Sequence, residues 1–280
     1  MQYMEFLRTR LHGVIPEDTR LPSGFHLIGH VAILSLDHDS VSFASPIGKA
    51  TLEYDIRIKS VAVKTGPTKG QVRKPNYTLI AGDSNTLTTH VEGGVSFRID
   101  PLRFTFSGGN LAERIRMGQV IESGERVLDM FACVGQFSLH AAKTGRAEVT
   151  SIEINPEAYE LLIENISLNG LTDKVIAILG DCRVVHPNNC MNRVIMGYLH
   201  DTQEYLIHAL EALVPEGGIV HMHIALPEND LSRTIELVKE ICASQRFTSQ
   251  VSFRQVKMYA PNIIHYVFDI IVGQENTVQA

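Results

Sequence analysis

The sequence contains no apolar run of about 18 or more residues, the length that a membrane-spanning helix requires. Its N-terminus, MQYMEFLRTRLHG, also lacks the long apolar stretch of a secretory signal. We therefore expect a cytoplasmic protein that has no membrane partner. With 44% hydrophobic and 20% charged residues, the chain has the composition of an ordinary folded protein, and its 280 residues suffice for one large domain or two modest ones.

Paired cysteines are missing as well. The four cysteines form no C-x-x-C pair and show no Cys/His spacing typical of structural zinc. The 12 histidines are scattered, and the segment HMH at 221–223 has the alternation of a strand. These patterns predict reduced thiols, histidines that bind no metal, and no metal site.

A third absence is the G-x-G-x-x-G sequence that cradles a pyrophosphate. The nearest segment is FACVGQF, residues 131–137, in which Cys133 stands where a glycine would be usual. We expect Cys133 to keep a negative φ, to preserve the turn and to narrow the pocket. Gly135 would allow the backbone to approach a ligand before the next helix begins.

The net charge of −6 is unevenly distributed. Residues 57–126 carry 11 basic and 6 acidic side chains, and the stretch from Arg57 to Lys74 has six basic residues and no acid. A basic region on an acidic protein suits contacts with nucleic-acid phosphates. Taken alone, the same run is equally typical of a solvated surface.

The first hundred residues are predicted to be β-rich. The segments 25–36, 40–65 and 95–106 alternate apolar and polar residues between Gly/Pro breaks, and a polar loop is expected at 66–77. Residues 110–121 have helical spacing, with Asn110 as a possible N-cap. The predicted division is a smaller domain at 1–106, a connecting loop and helix at 107–124, and a second domain at 125–280.

The second domain is predicted to be α/β. From Glu125 onward, continuous apolar strands alternate with helices, which is typical of a doubly wound, mostly parallel sheet covered on both faces. One helix should begin at Pro156 and stop at Gly170. The last two β-like runs have no helix between them, so they predict a closing antiparallel pair.

An acidic residue follows each of three successive predicted strands: Asp129, Glu153 and Asp181. Ligands of a doubly wound sheet bind at the carboxyl ends of its strands, where Glu153 would accept from both ribose hydroxyls and Asp181 from an adenine amino group. Without a phosphate loop, this arrangement suits a nucleoside that lacks phosphates, such as S-adenosylmethionine (SAM). Each acid taken singly is also typical of a helix cap.

Several motifs resemble the family that pairs tRNA guanine-37 N1-methyltransferases with the wybutosine-pathway tRNA aminocarboxypropyltransferases. They lie between residues 25 and 272 and are FSGGNLAERIRM, VLDMFACVGQFSL, SIEINPEAYELLIENISLNG, NRVIMGYL and MYAPNIIHYVFDIIV. The resemblance implies a class I methyltransferase-like (Rossmann-like) fold behind a smaller N-terminal β-rich (α+β) domain that helps to hold tRNA. It implies SAM as the cofactor and the anticodon loop of tRNA, at position 37, as the partner.

The two branches of this family use the same cofactor for different transfers. The methyltransferase branch carries Asn-Leu-Pro after the fourth strand of the sheet, where this chain has Gly197, Tyr198 and Leu199. Glycine has no side-chain amide to orient a guanine, so the resemblance favours the aminocarboxypropyl branch. That branch acts on the wyosine precursor of phenylalanine tRNA and releases methylthioadenosine. Guanine-37 N1-methylation and a non-catalytic SAM-binding RNA module stay open as alternatives, as does the oligomeric state, with a monomer favoured.

The resemblance also assigns roles to individual residues. Ser107 and Arg114 would hold the amino-acid arm of SAM, and Glu153, Asp181 and Cys182 would contact its nucleoside. Arg73 and Glu113 match the catalytic Arg and Glu of the methyltransferases. The remaining cofactor-binding residues would come from the turn after the first strand of the second domain, namely Asp129, Phe131 and Ala132.

Overall fold

A computed structural model describes residues 1–274 of the chain, so residues 275–280 of the predicted second domain lie outside the described range. The chain divides into two compact units, Met1–Gly108 and Gly109–Ala280. In the described part of the chain, no helix has both the length and the apolar character needed to cross a membrane.

The first unit combines two helices with a four-stranded sheet and a two-stranded sheet. The larger sheet has the order β1-β2-β3-β4, with β2 and β3 parallel and the outer pairs antiparallel. The smaller sheet is an antiparallel hairpin of β5 and β6. The elements are α1 (Tyr3–Leu11), β1 (His26–Ile28), β2 (Val31–Leu34), α2 (Ala44–Tyr54), β3 (Ser60–Lys69), β4 (Lys74–Gly82), β5 (Thr88–Glu92) and β6 (Val95–Ile99).

The prediction of strand throughout residues 40–65 was wrong, because α2 occupies the middle of that segment. Ile47, Ala50 and Thr51 are buried, and their spacing of three to four residues puts them on one helical face. Pro46 lies in the first turn of the helix, where proline is tolerated. A Cβ on Gly48 would lie 3.0 Å from the side chain of Ile80 in β4, so glycine allows the helix to pack closely on the sheet.

The predicted polar loop at 66–77 consists largely of strand. β3 continues to Lys69 and β4 begins at Lys74, which leaves a short turn in which Gly70 and Arg73 have φ values of 68° and 51°. The outer half of β3 is largely exposed, so its side chains show no apolar alternation that could indicate a strand.

Within residues 109–274, the second unit contains six α-helices and seven strands. They are α3 (Leu111–Val120), β7 (Arg126–Asp129), α4 (Ser138–Lys143), β8 (Glu148–Glu153), α5 (Pro156–Leu168), β9 (Val175–Leu179), α6 (Cys182–Val185), β10 (Arg193–Met196), α7 (Leu206–Ala212), β11 (Gly217–Leu226), α8 (Leu231–Ser244), β12 (Phe247–Ala260) and β13 (Ile263–Gln274).

These strands form one sheet in the order β12-β13-β11-β10-β7-β8-β9. The five strands from β11 to β9 pair in parallel, while β13 pairs antiparallel with both β11 and β12. The predicted doubly wound α/β fold with a closing antiparallel pair is thereby confirmed. So are the start of α5 at Pro156 and its end before Gly170, which has φ of 66°.

The order of the strands fixes where a ligand can bind. From β7 the chain proceeds outward to β8 and β9, and then returns to place β10 on the opposite side of β7. In sheets of this kind, ligands bind at the carboxyl ends of the two strands between which the strand order reverses, here β7 and β10.

Candidate functional site

The turn between β7 and α4 engages its backbone amides with acceptors inside the protein. Five amides of residues 131–136 have such acceptors: Phe131 N donates to Asp129 Oδ1, Ala132 N to Ile152 O, Cys133 N to Glu153 Oε2, and Gly135 N and Gln136 N to Ala132 O. A pyrophosphate loop presents free amides to its ligand. This turn therefore does not have the construction of a phosphate cradle, in agreement with the missing glycine motif.

The expected negative φ at Cys133 was wrong. Its φ is 50°, in the left-handed region that favours glycine. The amide of Cys133 donates to Glu153 Oε2 over 2.6 Å, and this bond fixes the residue in its uncommon conformation. Burial, and secondly the charge of Glu153, raise the pKa of the Cys133 thiol to about 12, so the thiol stays protonated at neutral pH.

Gly135 is required by the same turn on two grounds. Its φ is 94°, and an added Cβ would lie 2.8 Å from the Leu139 side chain and 3.1 Å from that of Leu162. The glycine therefore serves the packing of α4 and α5 against the turn.

Asp129, the last residue of β7, stabilises the turn through hydrogen bonds to both of its ends. One carboxylate oxygen accepts from the Phe131 amide, and the other accepts from the amide and the hydroxyl of Ser138 at 3.1 and 2.6 Å. The side chain is fully buried. Burial raises its pKa to about 6, although the hydrogen bonds from Ser138 and Phe131 act in the opposite direction. The geometry assigns Asp129 to shaping the turn, while its predicted contact with the cofactor stays a prediction.

Glu153, the last residue of β8, connects two loops. Its carboxylate accepts from the Cys133 amide at 2.6 Å and from the Asn155 amide at 2.7 Å. Burial raises the pKa of this carboxyl group, and the two backbone hydrogen bonds oppose the shift. Each carboxylate oxygen has two lone-pair sites, so Glu153 keeps capacity for the hydroxyl groups of a ligand.

Asp181 is the N-cap of α6 and accepts from the Arg183 amide at 3.0 Å. The Arg183 guanidinium also donates to both carboxylate oxygens, which lowers the pKa of Asp181. The neighbouring Cys182 is buried, and burial raises the pKa of its thiol to about 12. Asp181 thus lies after β9 as predicted and caps α6, while its contact with an adenine amino group stays a prediction.

Aromatic side chains surround these strand ends. The rings of Phe131 and Tyr198 are stacked, with centroids 5.2 Å apart and an interplanar angle of 20°. Tyr205 contacts Phe131 edge-on at 5.1 Å, and the Arg183 guanidinium lies 5.4 Å from the centroid of the Tyr205 ring. The sequence analysis missed Tyr205, because its segment carries no motif that would distinguish it from a core tyrosine.

Gly197 follows β10 at the position where the methyltransferase branch carries asparagine. An added Cβ would lie 3.0 and 3.2 Å from two ring carbons of Phe137, whose side chain is buried. The Phe137 ring therefore occupies the space into which a longer side chain at residue 197 would extend.

Helix α3 carries the predicted residues Glu113 and Arg114. Arg114 is fully buried and is the largest fully buried side chain among the described residues. Glu113 is also buried, and its carboxylate accepts from Arg116 at 3.0 Å and from Arg254 at 3.4 Å. The Glu113 carboxylate is therefore engaged by two guanidinium groups.

A charged cluster that the sequence analysis did not find continues from Glu113. Asp269 in β13 accepts from Arg116, Arg254 and His221. The Nε2 atom of His221 lies 2.7 Å from the guanidinium of Arg193, which can only donate. His221 therefore accepts through Nε2 and donates through Nδ1 to Asp269 as a neutral ring. Burial is the first cause that keeps the pKa of His221 low.

The remaining predicted residues, Arg73 and Ser107, belong to the first unit. Arg73 lies at the end of the β3–β4 turn, where its carbonyl accepts from the Thr105 hydroxyl at 2.7 Å. Ser107 is half-buried and immediately precedes the end of this unit. The second unit brings together Asp129, Phe131, Ala132, Glu153, Asp181 and Cys182 at the carboxyl ends of β7, β8 and β9.

The Asp129–Ser138 contact generates a pH-dependent prediction. Burial raises the pKa of Asp129 from 3.8 to about 6, so the protonated carboxyl group favours folding more than the ionised one does. The free energy of unfolding therefore falls as the pH rises from about 3.8 to about 6. The Ser138 hydroxyl stabilises the ionised form. Ser138→Ala should therefore reduce the free energy of unfolding by about 1–3 kcal/mol at pH 7.5 and by less at pH 5.

Urea unfolding at the two pH values measures this difference. Ser167→Ala, on the exposed face of α5, is the matched control and should have little effect at either pH. A loss of stability in Ser138→Ala that is equal at pH 7.5 and pH 5 would show that the hydroxyl does not support the ionised carboxylate.

Comparison with known proteins places this geometry in a family. Residues 88–251 match the TRM5/TYW2 methyltransferase domain, and residues 7–86 match the TYW2 N-terminal domain. A tRNA(Phe) (4-demethylwyosine(37)-C(7)) aminocarboxypropyltransferase of Pyrococcus horikoshii is 34% identical over 270 residues, which cover 95% of this chain and 96% of the relative. A tRNA (guanine(37)-N(1))-methyltransferase Trm5b of Pyrococcus abyssi is 33% identical, over 92% of this chain and 78% of the relative.

Solved structures agree with the sequence comparison. The crystal structure of P. horikoshii TYW2 in complex with MeSAdo is similar with a TM-score of 0.86 and 32% identity, over 97% of this chain and all of that chain. Both units of the described fold thus have counterparts in one relative. The chain belongs to the TRM5/TYW2 family.

Proposed function

We propose that this protein transfers the 3-amino-3-carboxypropyl group of SAM to the wyosine-precursor base at position 37 of phenylalanine tRNA, and that it releases methylthioadenosine. The P. horikoshii relative whose name describes this reaction aligns along nearly the full length of both chains. The match of residues 7–86 to the TYW2 N-terminal domain supports the same branch for the first unit.

The site suits SAM as the cofactor. The turn amides are engaged inside the protein, so the turn lacks the free donors that a diphosphate would need. The acids at the ends of β8 and β9, Glu153 and Asp181, offer acceptors to the hydroxyl and amino groups of a nucleoside. When it is bound, SAM supplies an electrophilic carbon next to a sulfonium, and the γ-carbon of the amino-acid arm is the one whose transfer leaves methylthioadenosine.

Gly197 is the single observation that carries the choice between the two transfers. The guanine-directed branch has an asparagine at this position, whereas here the Phe137 ring fills the corresponding space. A side chain that carries an amide would therefore require the Phe137 ring to shift by a few tenths of an ångström. A planar aromatic wall formed by Phe131 and Tyr198 lies beside this position instead.

Roles for the individual side chains follow from this assignment. Glu153 accepts from the ribose hydroxyls, Asp181 from the adenine amino group, and Phe131, Ala132 and Cys182 line the nucleoside. Asp129 acts by keeping the turn in place. For the amino-acid arm, the resemblance assigns Arg114, whose planar fork of donors suits a carboxylate, and Ser107; both assignments stay predictions.

The acceptor carbon of the base must lose a proton after the new carbon–carbon bond forms. Glu113 is the family's candidate for proton acceptor and Arg73 for its catalytic arginine. The carboxylate of Glu113 accepts from Arg116 and Arg254, so these two contacts set the position from which it would act. Both catalytic roles stay predictions.

The tRNA substrate accounts for the basic run of the first unit. Lys59, Lys64, Lys69 and Lys74 are exposed, and they can reach phosphates at the cost of little reorganisation. Arg57 differs, because its guanidinium is engaged by the Asp55 carboxylate over 2.6 Å. We infer from these features that the lysines meet the anticodon arm. We further propose, as expected from the sequence, that the enzyme works in the cytoplasm as a monomer.

The direct test is one incubation of the enzyme with SAM and phenylalanine tRNA that carries the wyosine precursor. The expected nucleoside by-product is methylthioadenosine, in an amount equal to the aminocarboxypropyl group gained by the tRNA. Mass spectrometry of the small molecules and of the digested tRNA measures both. Transfer RNA with an unmodified guanine at position 37 is the matched control substrate. With it, the enzyme should release neither methylthioadenosine nor S-adenosylhomocysteine.

Two results would contradict this function. Formation of S-adenosylhomocysteine, above all with the unmodified-guanine tRNA, would assign the protein to guanine-37 N1-methylation. Saturable binding of SAM and tRNA without any by-product would make it a non-catalytic RNA-binding module.

The packing of Gly197 gives a second prediction. Gly197→Asn should lower the free energy of unfolding by about 1–3 kcal/mol, because the new side chain overpacks the site against Phe137. It should not create methyl transfer to guanine. In a Phe137→Leu background the same substitution should cost less, and a double-mutant cycle by urea unfolding measures the difference. Equal costs in the two backgrounds would show that Phe137 does not exclude a side chain at residue 197.

A further inference from the structure

Two histidines and one glutamate converge beside the carboxyl end of α6, outside the residues assigned to SAM. They are His186, which follows α6, and His208 and Glu211 of α7. One potential ligand atom from each lies within 4.8 Å of the other two. The Oε2 atom of Glu211 is 3.3 Å from Nε2 of His186 and 3.1 Å from Nδ1 of His208.

The hydrogen bonding of His186 directs one of its ring nitrogens toward Glu211. Its Nδ1 atom lies 3.1 Å from the carbonyl oxygen of Pro187, which can only accept, so Nδ1 carries the proton. The Nε2 atom then faces the carboxylate of Glu211 at 3.3 Å. A cation that lies between these two atoms would be bound by both of them.

The hydrogen bond from His186 to the Pro187 carbonyl is of the kind that metal-binding histidines commonly make. A histidine ligand commonly donates its second ring nitrogen to a backbone carbonyl, which fixes the tautomer and the direction of the free nitrogen. The His186 side chain is also held in place, with only 7% of its surface exposed.

Backbone hydrogen bonds join the two chain segments that carry the cluster. The amide of Asn189 donates to the carbonyl of Glu211, and the amides of Cys190 and Met191 donate to the carbonyl of Ala212. The segment after His186 is thereby attached to the C-terminal end of α7. The three side chains consequently start from two backbone segments that are already joined.

We propose that His186, His208 and Glu211 form a binding site for a first-row divalent cation, and that Zn²⁺ is the ion that fits it best. Two imidazoles and one carboxylate are a donor set that zinc uses when its fourth position is open. Ligand atoms of a tetrahedral zinc site lie about 3.3 Å apart, close to the two separations between Glu211 and the histidines. The half-exposed Glu211 gives the ion a path from solvent.

The sequence predicted no metal site because the ligands have no zinc-finger spacing. His208 and Glu211 are three residues apart on α7, which follows β10 in the sequence. His186 lies in the loop between α6 and β10. Only the folding of the 186–191 segment onto α7 brings it to them.

Zinc binding to the full-length, tag-free protein tests this site. After removal of metals with a chelator, titration with Zn²⁺ against a chromogenic chelator should show one tight site per chain, and Co²⁺ should give the visible absorption of tetrahedral coordination. His208→Ala and Glu211→Gln should each weaken zinc binding at least about tenfold and abolish that absorption. His12→Ala is the matched control, because His12 is an exposed histidine beside a single carboxylate, 3.5 Å from Glu17, and it should change nothing.

Each outcome of the zinc titration either supports the site or contradicts it. Zinc affinity that is lost in the two cluster variants and kept in the control supports the site. If the wild-type protein binds no zinc, or if the cluster variants bind zinc as tightly as the wild type, the proposal is overturned and the cluster is a hydrogen-bonded triad that holds no metal. Circular dichroism and thermal melting of each variant identify any that does not fold, and the exposed Glu211→Gln provides the test if His208→Ala is lost.

Discussion

The carboxylate of Glu153 is the contact on which the cofactor site depends. It accepts from the amide of Cys133 in one loop and from that of Asn155 in the next, so it joins the carboxyl ends of β7 and β8. A charged acceptor that receives two backbone donors in a buried place is among the stronger hydrogen-bonding arrangements in proteins. It holds Cys133 in a left-handed conformation that its side chain disfavours. Asp129 supports the same turn from the other side through Phe131 and Ser138.

A turn that is built in this way explains why one fold serves SAM rather than a dinucleotide. Five of the turn's amides are engaged by the protein's own carboxylates and carbonyls, and acidic and aromatic side chains lie at the neighbouring strand ends. The fold itself does not decide which carbon of SAM is transferred. We propose that this choice is linked to the residue after β10, Gly197, where an added Cβ would lie 3.0 Å from the Phe137 ring.

The sequence predicted the second unit better than the first, for physical reasons. Strong local signals such as Pro156 and Gly170 mark helix ends directly, and continuous apolar strands indicate a parallel sheet. In α2, by contrast, three buried residues in a Gly- and Pro-containing segment carried too little periodicity, and contacts with the sheet decided the outcome. Features made by distant residues were out of reach: the charged cluster joins Glu113 to Asp269, and the conformation of Cys133 depends on Glu153.

The affinity of Glu153→Gln for SAM tests the central claim most directly, with titration calorimetry as the measurement and the backbone NMR signal of Cys133 as a structural readout. Glutamine keeps the size of the side chain but turns an NH₂ group toward either a backbone donor or the ligand. The account predicts affinity at least about tenfold lower, equivalent to about 1.4 kcal/mol, together with a displaced Cys133 amide signal. Unchanged affinity with an unchanged signal would show that this carboxylate neither forms the turn nor holds the nucleoside.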